Sequence, residues 1–324
     1  MIDLLSYIRR LPINTDKKLR IFANSRKFYY YLKYHNIPES FTFIPSNLYY
    51  GHEYWMRKYS GYKQTLYGVI EHGVYFGENT SKVGNEEEWD LGSIITFGDS
   101  RIKLLKNLYP DYNVIGVGPR LHYAPIDVKY LNELRSKLIP DSKTIAIYPA
   151  HSISNQMAMF NVDSFMNDAL SYAREFGAKN ILVSLHPTDM NNGISLNYEG
   201  YNIILVSGGQ DSIKFLPRIK AIMTVADLIY TNSLGTHVGY SVYMNVPNVI
   251  NIQDRNKAES NPIFLKEQAL FANVFNGNNP SEISAEQREL CDYYYGYSHI
   301  KSPIELYNEF DKIDAIYKKR FKIK

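Results

Sequence analysis

The stretch NILVSLHPTDM, residues 180–190, decides the fold. Ile181, Leu182, Val183 and Leu185 form an apolar run of the kind found in parallel strands covered on both faces. Pro187 cannot donate to a ladder, so the strand stops before it. His186 is thereby placed at a strand's carboxyl end, the edge along which open α/β sheets bind ligands. Further on, ADLIYTNSLGTHVGYSVYMNVPNVINI, residues 226–252, repeats the pattern. Leu228 to Tyr230 read as a strand, Thr231, Asn232 and Ser233 as caps, and Gly235 to Met244 as a helix. An imidazole at one strand end and a hydroxyl-rich helix N-terminus at the next suit a phosphate group.

Strand and helix alternate on either side of these junctions. KTIAIYPAH (143–151), YNIILVS (201–207) and VPNVINI (246–252) read as strands. Helices are expected over Val162 to Phe176, closed by Gly177, and from about Ser212 to Val225. Toward the N-terminus, TLYGVI (65–70), SIITFGDSR (93–101) and YNVIGVG (112–118) read as strands, with helices over SRKFYYYLKYHNI (25–37), Ser100 to Leu108 and Ile126 to Leu138. Such alternation implies parallel sheets with helical crossovers. The polar turn at Asp141-Ser142 divides the chain into a first Rossmann-like half, residues 1–141, and a second, residues 142–300. Final helices over Ala285 to Tyr294 and from Pro303 onward leave residues 301–324 as a segment able to cross back onto the first half. The fold class expected is therefore α/β, two Rossmann-like domains facing across a cleft.

Composition narrows the remaining classes. At 324 residues the chain suits two domains of about 150 residues each. No apolar run approaches the roughly 18–20 residues that a membrane span requires. The basic residues of MIDLLSYIRRLPINTDKK follow its apolar stretch rather than precede it, unlike a signal peptide. The single cysteine, Cys291, excludes a disulfide framework and a Cys-rich metal site, and a cytoplasmic location is expected. A formal net charge of +3 is too small to argue for nucleic acid as a partner. Much of the excess lies in DKIDAIYKKRFKIK, residues 311–324, where Ile313, Ile316, Tyr317 and Phe321 are interleaved with basic residues. Such a helix either lies on an anionic membrane surface or docks its apolar stripe on its own protein, and an apolar helix stripe is more often core.

Several strand ends carry chemistry. Glu71, His72 and Gly73 follow TLYGVI, so a carboxylate and an imidazole leave a sheet at its ligand-binding edge, and either can accept a proton. His186 can donate to a phosphate oxygen. Asn232, Ser233, Gly235, Thr236 and His237, with the amides that open the helix, form a second phosphate element. The loop GVGPRLHY (116–123) brings Arg120 and His122 toward the same edge, and PAHSIS (149–154) brings His151, Ser152 and Ser154. No acidic pair for a divalent metal is evident at any strand end, so no metal or other cofactor is expected.

Two facing Rossmann-like domains, an acidic-then-glycine motif (Glu71-His72-Gly73), His186-Pro187, and a Ser/Thr motif (Thr231-Asn232-Ser233 with Thr236) resemble the GT-B glycosyltransferases. Within them the chain is most similar to bacterial sialyl- and Kdo-type transferases that use CMP-linked acidic sugars. The resemblance implies a metal-independent glycosyltransferase. Its nucleotide-sugar donor would be held by Ser152, Ser154, Pro187, Asn232, Ser233, Gly235, Thr236 and His237. Glu71 or His72 would be the base, His186 would stabilise the departing phosphate, and Arg120, His122 and His151 would line the acceptor side. It further implies a glycan or glycolipid acceptor, a part in capsule, lipopolysaccharide or related surface-glycan assembly, and peripheral contact with the inner face of the cytoplasmic membrane. Two departures stand out. Those families commonly place two acidic residues before the glycine, where this chain has Glu71 and then His72; a His-Gly pair here also resembles the CDP-glycerol phosphotransferases of teichoic acid synthesis. Nor does any glutamate lie between Asp227 and Gln253 to hold a ribose. The alternatives are thus a CDP-glycerol-type phosphotransferase of the same fold, or a non-catalytic nucleotide- or sugar-binding module.

Overall fold

The computed structural model describes residues 42–76, 91–151, 160–186, 189–190, 193–207, 213–253, 262–276 and 282–322. The helix expected over residues 25–37 lies outside them, as do Ser152, Ser154 and Pro187. Two parallel sheets organise the chain, each Rossmann-like in its strand–helix alternation. The first contains β1 (Val69–Ile70), β2 (Ser93–Thr96) and β3 (Asn113–Gly116), in that spatial order, with Ile70 beside Ile95 and Ile95 beside Ile115. The second contains β4 (Lys143–Tyr148), β5 (Ala178–Ser184), β6 (Ile204–Val206), β7 (Leu228–Thr231) and β8 (Asn248–Ile250), ordered β6-β5-β4-β7-β8. Counted within that sheet, the order is third, second, first, fourth, fifth. It therefore reverses between β4 and β7, and a reversal of this kind opens a crevice beyond the carboxyl ends of those two strands.

Period-two alternation splits each strand between two cores. Ile145 and Ile147 of β4, with Val183 and Tyr230, pack on Phe165, Met166, Ala169 and Ala173 of α4 (Val162–Phe176). Those apolar positions recur at helical spacing. The helix starts on Asn161, whose side chain accepts from the Ser164 amide, and ends at Gly177 in the left-handed region. Ala146 and Tyr148 face the other way, with Leu182 and Ile229, onto Leu216, Ile219, Ile222 and Met223 of α5 (Phe215–Val225). In the first sheet Val69, Ile94 and Val114 meet Ile102 and Leu105 of α2 (Asp99–Leu108). Ile70, Ile95 and Ile115 cover Met56 of α1 (His52–Ser60) and Leu306, Phe310 and Ile313 of α9 (Pro303–Arg320).

Helix α9 thus occupies the core of the first sheet although it follows the second in sequence. A capping box between Ser302 and Glu305 and a proline in the first turn start it. Tyr317 stacks flat on Tyr67 at 3.9 Å, so the apolar stripe of the basic segment is taken up by the protein's own core. The chain reaches α9 from α8 (Ala285–Tyr295) through Gly296, whose backbone passes directly against those of Phe97-Gly98 and Gly118; a Cβ at any of the three glycines would overlap the facing chain. His299 then pairs with Asp99 at 2.9 Å. No helix among the described residues is long and apolar enough to cross a membrane.

Some elements differ from the sequence reading. Of TLYGVI only Val69 and Ile70 join a ladder, because Leu66 and Tyr67 turn into the cores on either face instead. Helices α1 and α7 (Pro262–Asn276) are not evident in the sequence pattern. Helix α3 spans Val128–Arg135 and α6 spans Thr236–Tyr243.

Candidate functional site

The carboxyl edges of the two sheets meet. At the β4/β7 reversal, the Asn232 side-chain oxygen accepts from the Ala150 amide at 2.7 Å, and the Thr231 hydroxyl lies 2.7 Å from the Tyr148 carbonyl and 3.1 Å from that of Ser233. These side chains stitch the two strand ends together. They do not cap the following helix, as the sequence suggested: its N-cap is Gly235, in extended backbone and with no side-chain cap bond. The Thr236 hydroxyl instead accepts from the Val74 amide at 3.3 Å, across to the loop that follows β1. His237 lies flat on Tyr148, with ring centres 5.1 Å apart, and its Nε2 is 3.0 Å from the Thr231 hydroxyl. The start of α6 therefore presents the positive end of a helix at the switch point, with neither a serine nor a threonine folded over it.

His186 follows β5 and sits beside this point. Its ring stacks on that of exposed His151 at 4.7 Å, and its Nε2 is 3.4 Å from the Tyr50 hydroxyl of the first half. Burial, and to a lesser extent the His151 ring, push its pKa down to about 4 against an opposing pull from Asp189. At neutral pH it is an uncharged imidazole able to donate one N–H. Tyr50 adopts a left-handed backbone (φ 59°) just ahead of Gly51, packs on Phe215 at 4.3 Å, and so ties the first half to the start of α5. Nearby, the Trp55 indole donates to the Ile213 carbonyl at 2.6 Å.

On the facing edge, Glu71 is 0% exposed and its carboxylate is fully engaged. Arg101 donates to it at 2.6 Å through Nη2 and 2.9 Å through Nε, and the Thr96 hydroxyl donates at 2.6 Å. His72 is partly exposed, with Tyr75 at 3.5 Å from its Nδ1 and the Tyr49 and Tyr75 rings edge-on to it. Burial holds its pKa below the ordinary histidine value; Glu71 opposes this and Arg120 adds to it. Of the two candidate proton acceptors, His72 is the one whose ring is reachable.

Arg120 and His122 do not occupy the positions expected of them. Arg120 is wholly buried, its guanidinium 3.6 Å above the Phe97 ring, so it lies behind the edge rather than on it. His122 is clamped between the Tyr59 hydroxyl (3.1 Å) and the Tyr243 hydroxyl (2.7 Å), which makes it a clasp between the halves. Tyr50, Arg101 and the buried His52 were not legible as parts of this region. The only sequence signal for Arg101 is its place in the helical turn after β2, and Tyr50 depends on a backbone conformation that a tyrosine rarely adopts. Among the described residues, no group of three or more His, Cys, Asp or Glu is placed to hold a metal ion.

No protein-family model matches the chain, and no curated protein does. Solved structures give distant likenesses. A variant of the wall teichoic acid polymerase TagF aligns at 12% identity with a TM-score of 0.45, covering 77% of this chain and 68% of that one. UDP-GlcNAc 2-epimerase from Methanocaldococcus jannaschii aligns at 14% identity and a TM-score of 0.41, over 95% of this chain and 84% of that one. The glycosyltransferase SnogD from Streptomyces nogalater aligns at 11% identity and a TM-score of 0.30, over 72% and 67%.

Proposed function

We propose that this chain is a GT-B-type transferase that moves a group from a nucleotide-activated donor to an acceptor hydroxyl. One observation carries the reading: the bond from Val74 to Thr236, which sets the open start of α6, at the switch point of one sheet, against the imidazole-bearing loop of the other. A donor phosphate at the amides of α6 is stabilised by the helix dipole and by an N–H of His186. Ser233, Gly235 and His237 complete that side, and Thr231 and Asn232 hold its shape. An acceptor hydroxyl approaching from the first half meets His72, which takes its proton as it attacks. The nucleotide base and sugar then extend over the second half, residues 142–300, and the acceptor over the first. Transfer proceeds without a divalent metal, so activity survives excess EDTA.

The donor proposed is a CMP-linked acidic sugar and the acceptor a surface glycan or glycolipid met at the inner membrane face. A second reading, transfer of glycerol phosphate from a CDP-linked donor, is favoured by a specific observation. Arg101 and Thr96 engage Glu71, which leaves an imidazole rather than a carboxylate as the base before Gly73. A thermal-shift panel of CMP, CDP, UDP, GDP and their sugar and glycerol conjugates tests donor use, because a ligand at 100 times its Kd stabilises by about 2.7 kcal/mol. Mass spectrometry of the products separates a glycosyl from a glycerol phosphate transfer. A panel in which no nucleotide shifts the transition would refute the proposal.

A further inference from the structure

Beneath the turn that carries His72 lie two guanidiniums and one carboxylate. Arg101 and Glu71 neutralise each other, with an Nη2 to Oε1 distance of 2.6 Å. Arg120 is left over. Its side chain is 0% exposed, Nη1 donates to the Gly118 carbonyl at 3.0 Å, and Nη2 is 3.3 Å from the carbonyls of Glu71 and Ile95. Its Nε is buried without a hydrogen-bond partner, as is Nδ1 of neighbouring His52. No carboxylate among the described residues forms an ion pair with Arg120. Isolated buried charges are heavily disfavoured, and folds that keep one normally surround it with a counter-ion. Arg120 also acts on both sides of the site: it donates to the Glu71 carbonyl next to His72, and its charge reaches the buried Tyr240 of α6.

We infer that the ligand supplies the countercharge that no ion pair among the described residues gives Arg120: the buried guanidinium keeps a standing positive charge behind the His72 turn, which a phosphate or pyrophosphate anion at the start of α6 balances. The inference rests on the proposed phosphate site and extends it to a residue that the ligand never touches. Arg120 is thus a positioning residue. It acts by field and by its hold on the Glu71–His72 peptide. The same charge disfavours protonation of His72, which keeps that ring able to accept a proton. The other groups facing His72 are Glu71 and Tyr75 on its own loop, with Arg101 stacked over Tyr75 at 4.7 Å, Tyr49 from the segment leading into α1, and His52 at the first position of α1. Of these, the one full negative charge is already paired to Arg101.

The test compares the full-length wild type with Arg120→Gln, which removes the charge but keeps a donor, and Arg120→Lys, which keeps the charge. Inorganic pyrophosphate binding is measured by calorimetry at fixed ionic strength, and the His72 titration by NMR. Arg120→Gln is expected to weaken pyrophosphate by about fivefold or more and to raise the His72 pKa by about half a unit, while Arg120→Lys stays within about twofold of wild type. Arg120→Met, which keeps the stem over Phe97, replaces the glutamine variant if that one fails to fold. Equal pyrophosphate affinity and an unmoved His72 titration in the neutral variant overturn the inference and leave the phosphate site standing. A wild type that binds no pyrophosphate overturns both.

Discussion

Glu71→Gln offers a measure of what the buried pair at the first sheet edge does for the fold. The carboxylate is 0% exposed, accepts two N–H groups of Arg101 and the Thr96 hydroxyl, and all three bonds run between 2.6 and 2.9 Å. Replacing it with an amide leaves the Arg101 guanidinium buried without its countercharge and exchanges charge-assisted bonds for neutral ones. Removing one partner of such a pair typically costs about 3–5 kcal/mol. Part of that cost is the stranded charge, so Arg101→Met alone should cost a similar amount and the double variant less than the sum, with a coupling of about 2 kcal/mol or more. Urea unfolding followed by circular dichroism, for wild type, both single variants and the double, gives the full cycle. The pair would be shown to be dispensable if Glu71→Gln cost under ~1 kcal/mol with negligible coupling, as exposed ion pairs do. Activity adds a second discrimination. If Glu71 were the base, transfer by the folded glutamine variant would collapse, whereas a purely structural Glu71 leaves turnover that tracks the folded fraction.

His186→Ala should lower turnover about 100-fold, the usual loss on removing a donor to a transition-state charge, while the thermal transition stays near wild type; unchanged turnover removes His186 from the mechanism. Acid should destabilise the fold through His52, His72, His122 and His186, all held below the ordinary histidine value chiefly by burial. Between the unfolded value of about 6.5 and each lower folded value the unfolded chain binds more protons, so stability falls as pH drops through that window. For His186 the window closes near about 4. Scanning calorimetry at pH 7.5 and 5.0 checks this, and a flat transition temperature would contradict the burial of these rings. Gly239→Ala would drive a methyl group into the Tyr295 ring and should cost about 1–3 kcal/mol or more by thermal denaturation. A neutral effect there would mean that α8 is free to move away from α6.

The sequence carried its second half clearly. Val162–Phe176 is legible to the residue because Phe165, Met166, Ala169 and Ala173 repeat at helical spacing between an asparagine cap and a left-handed glycine. The strand ends at His186 and Thr231 are likewise set by local composition. What local composition does not encode is lateral order. Nothing in KTIAIY or LIYT states that these strands are neighbours, yet that adjacency locates the switch point. For the same reason the hydroxyls at 231–233 read as helix caps: the alternative partners, Tyr148 and Ala150, stand more than eighty positions away and become available only once β4 and β7 pair. Arg120 misled in the opposite direction. A charged residue in a glycine-rich loop is usually exposed, and it is the Phe97 face, the carbonyls of Glu71 and Ile95 from other segments, and that of Gly118 in its own loop that allow it to be buried.

The seating of α9 in the first sheet sets an order on the birth of the protein. On a ribosome the strands that include Ile70, Ile95 and Ile115 emerge early, but the residues that cover them, Leu306, Phe310 and Ile313, are synthesised some two hundred positions later. The later sheet, by contrast, finds Phe165 and Met166 within about twenty positions of β4. At a synthesis rate of about 5–20 residues per second, the early strands wait on the order of ten seconds or more for the side chains that complete one apolar face. Maturation therefore runs against the direction of translation: the half made second closes first, and the half made first is completed by α9, which the chain reaches through the Gly296 connection past Gly98 and Gly118. For that interval the isoleucine face of β1 to β3 has Met56 of α1 against it but lacks Leu306, Phe310 and Ile313.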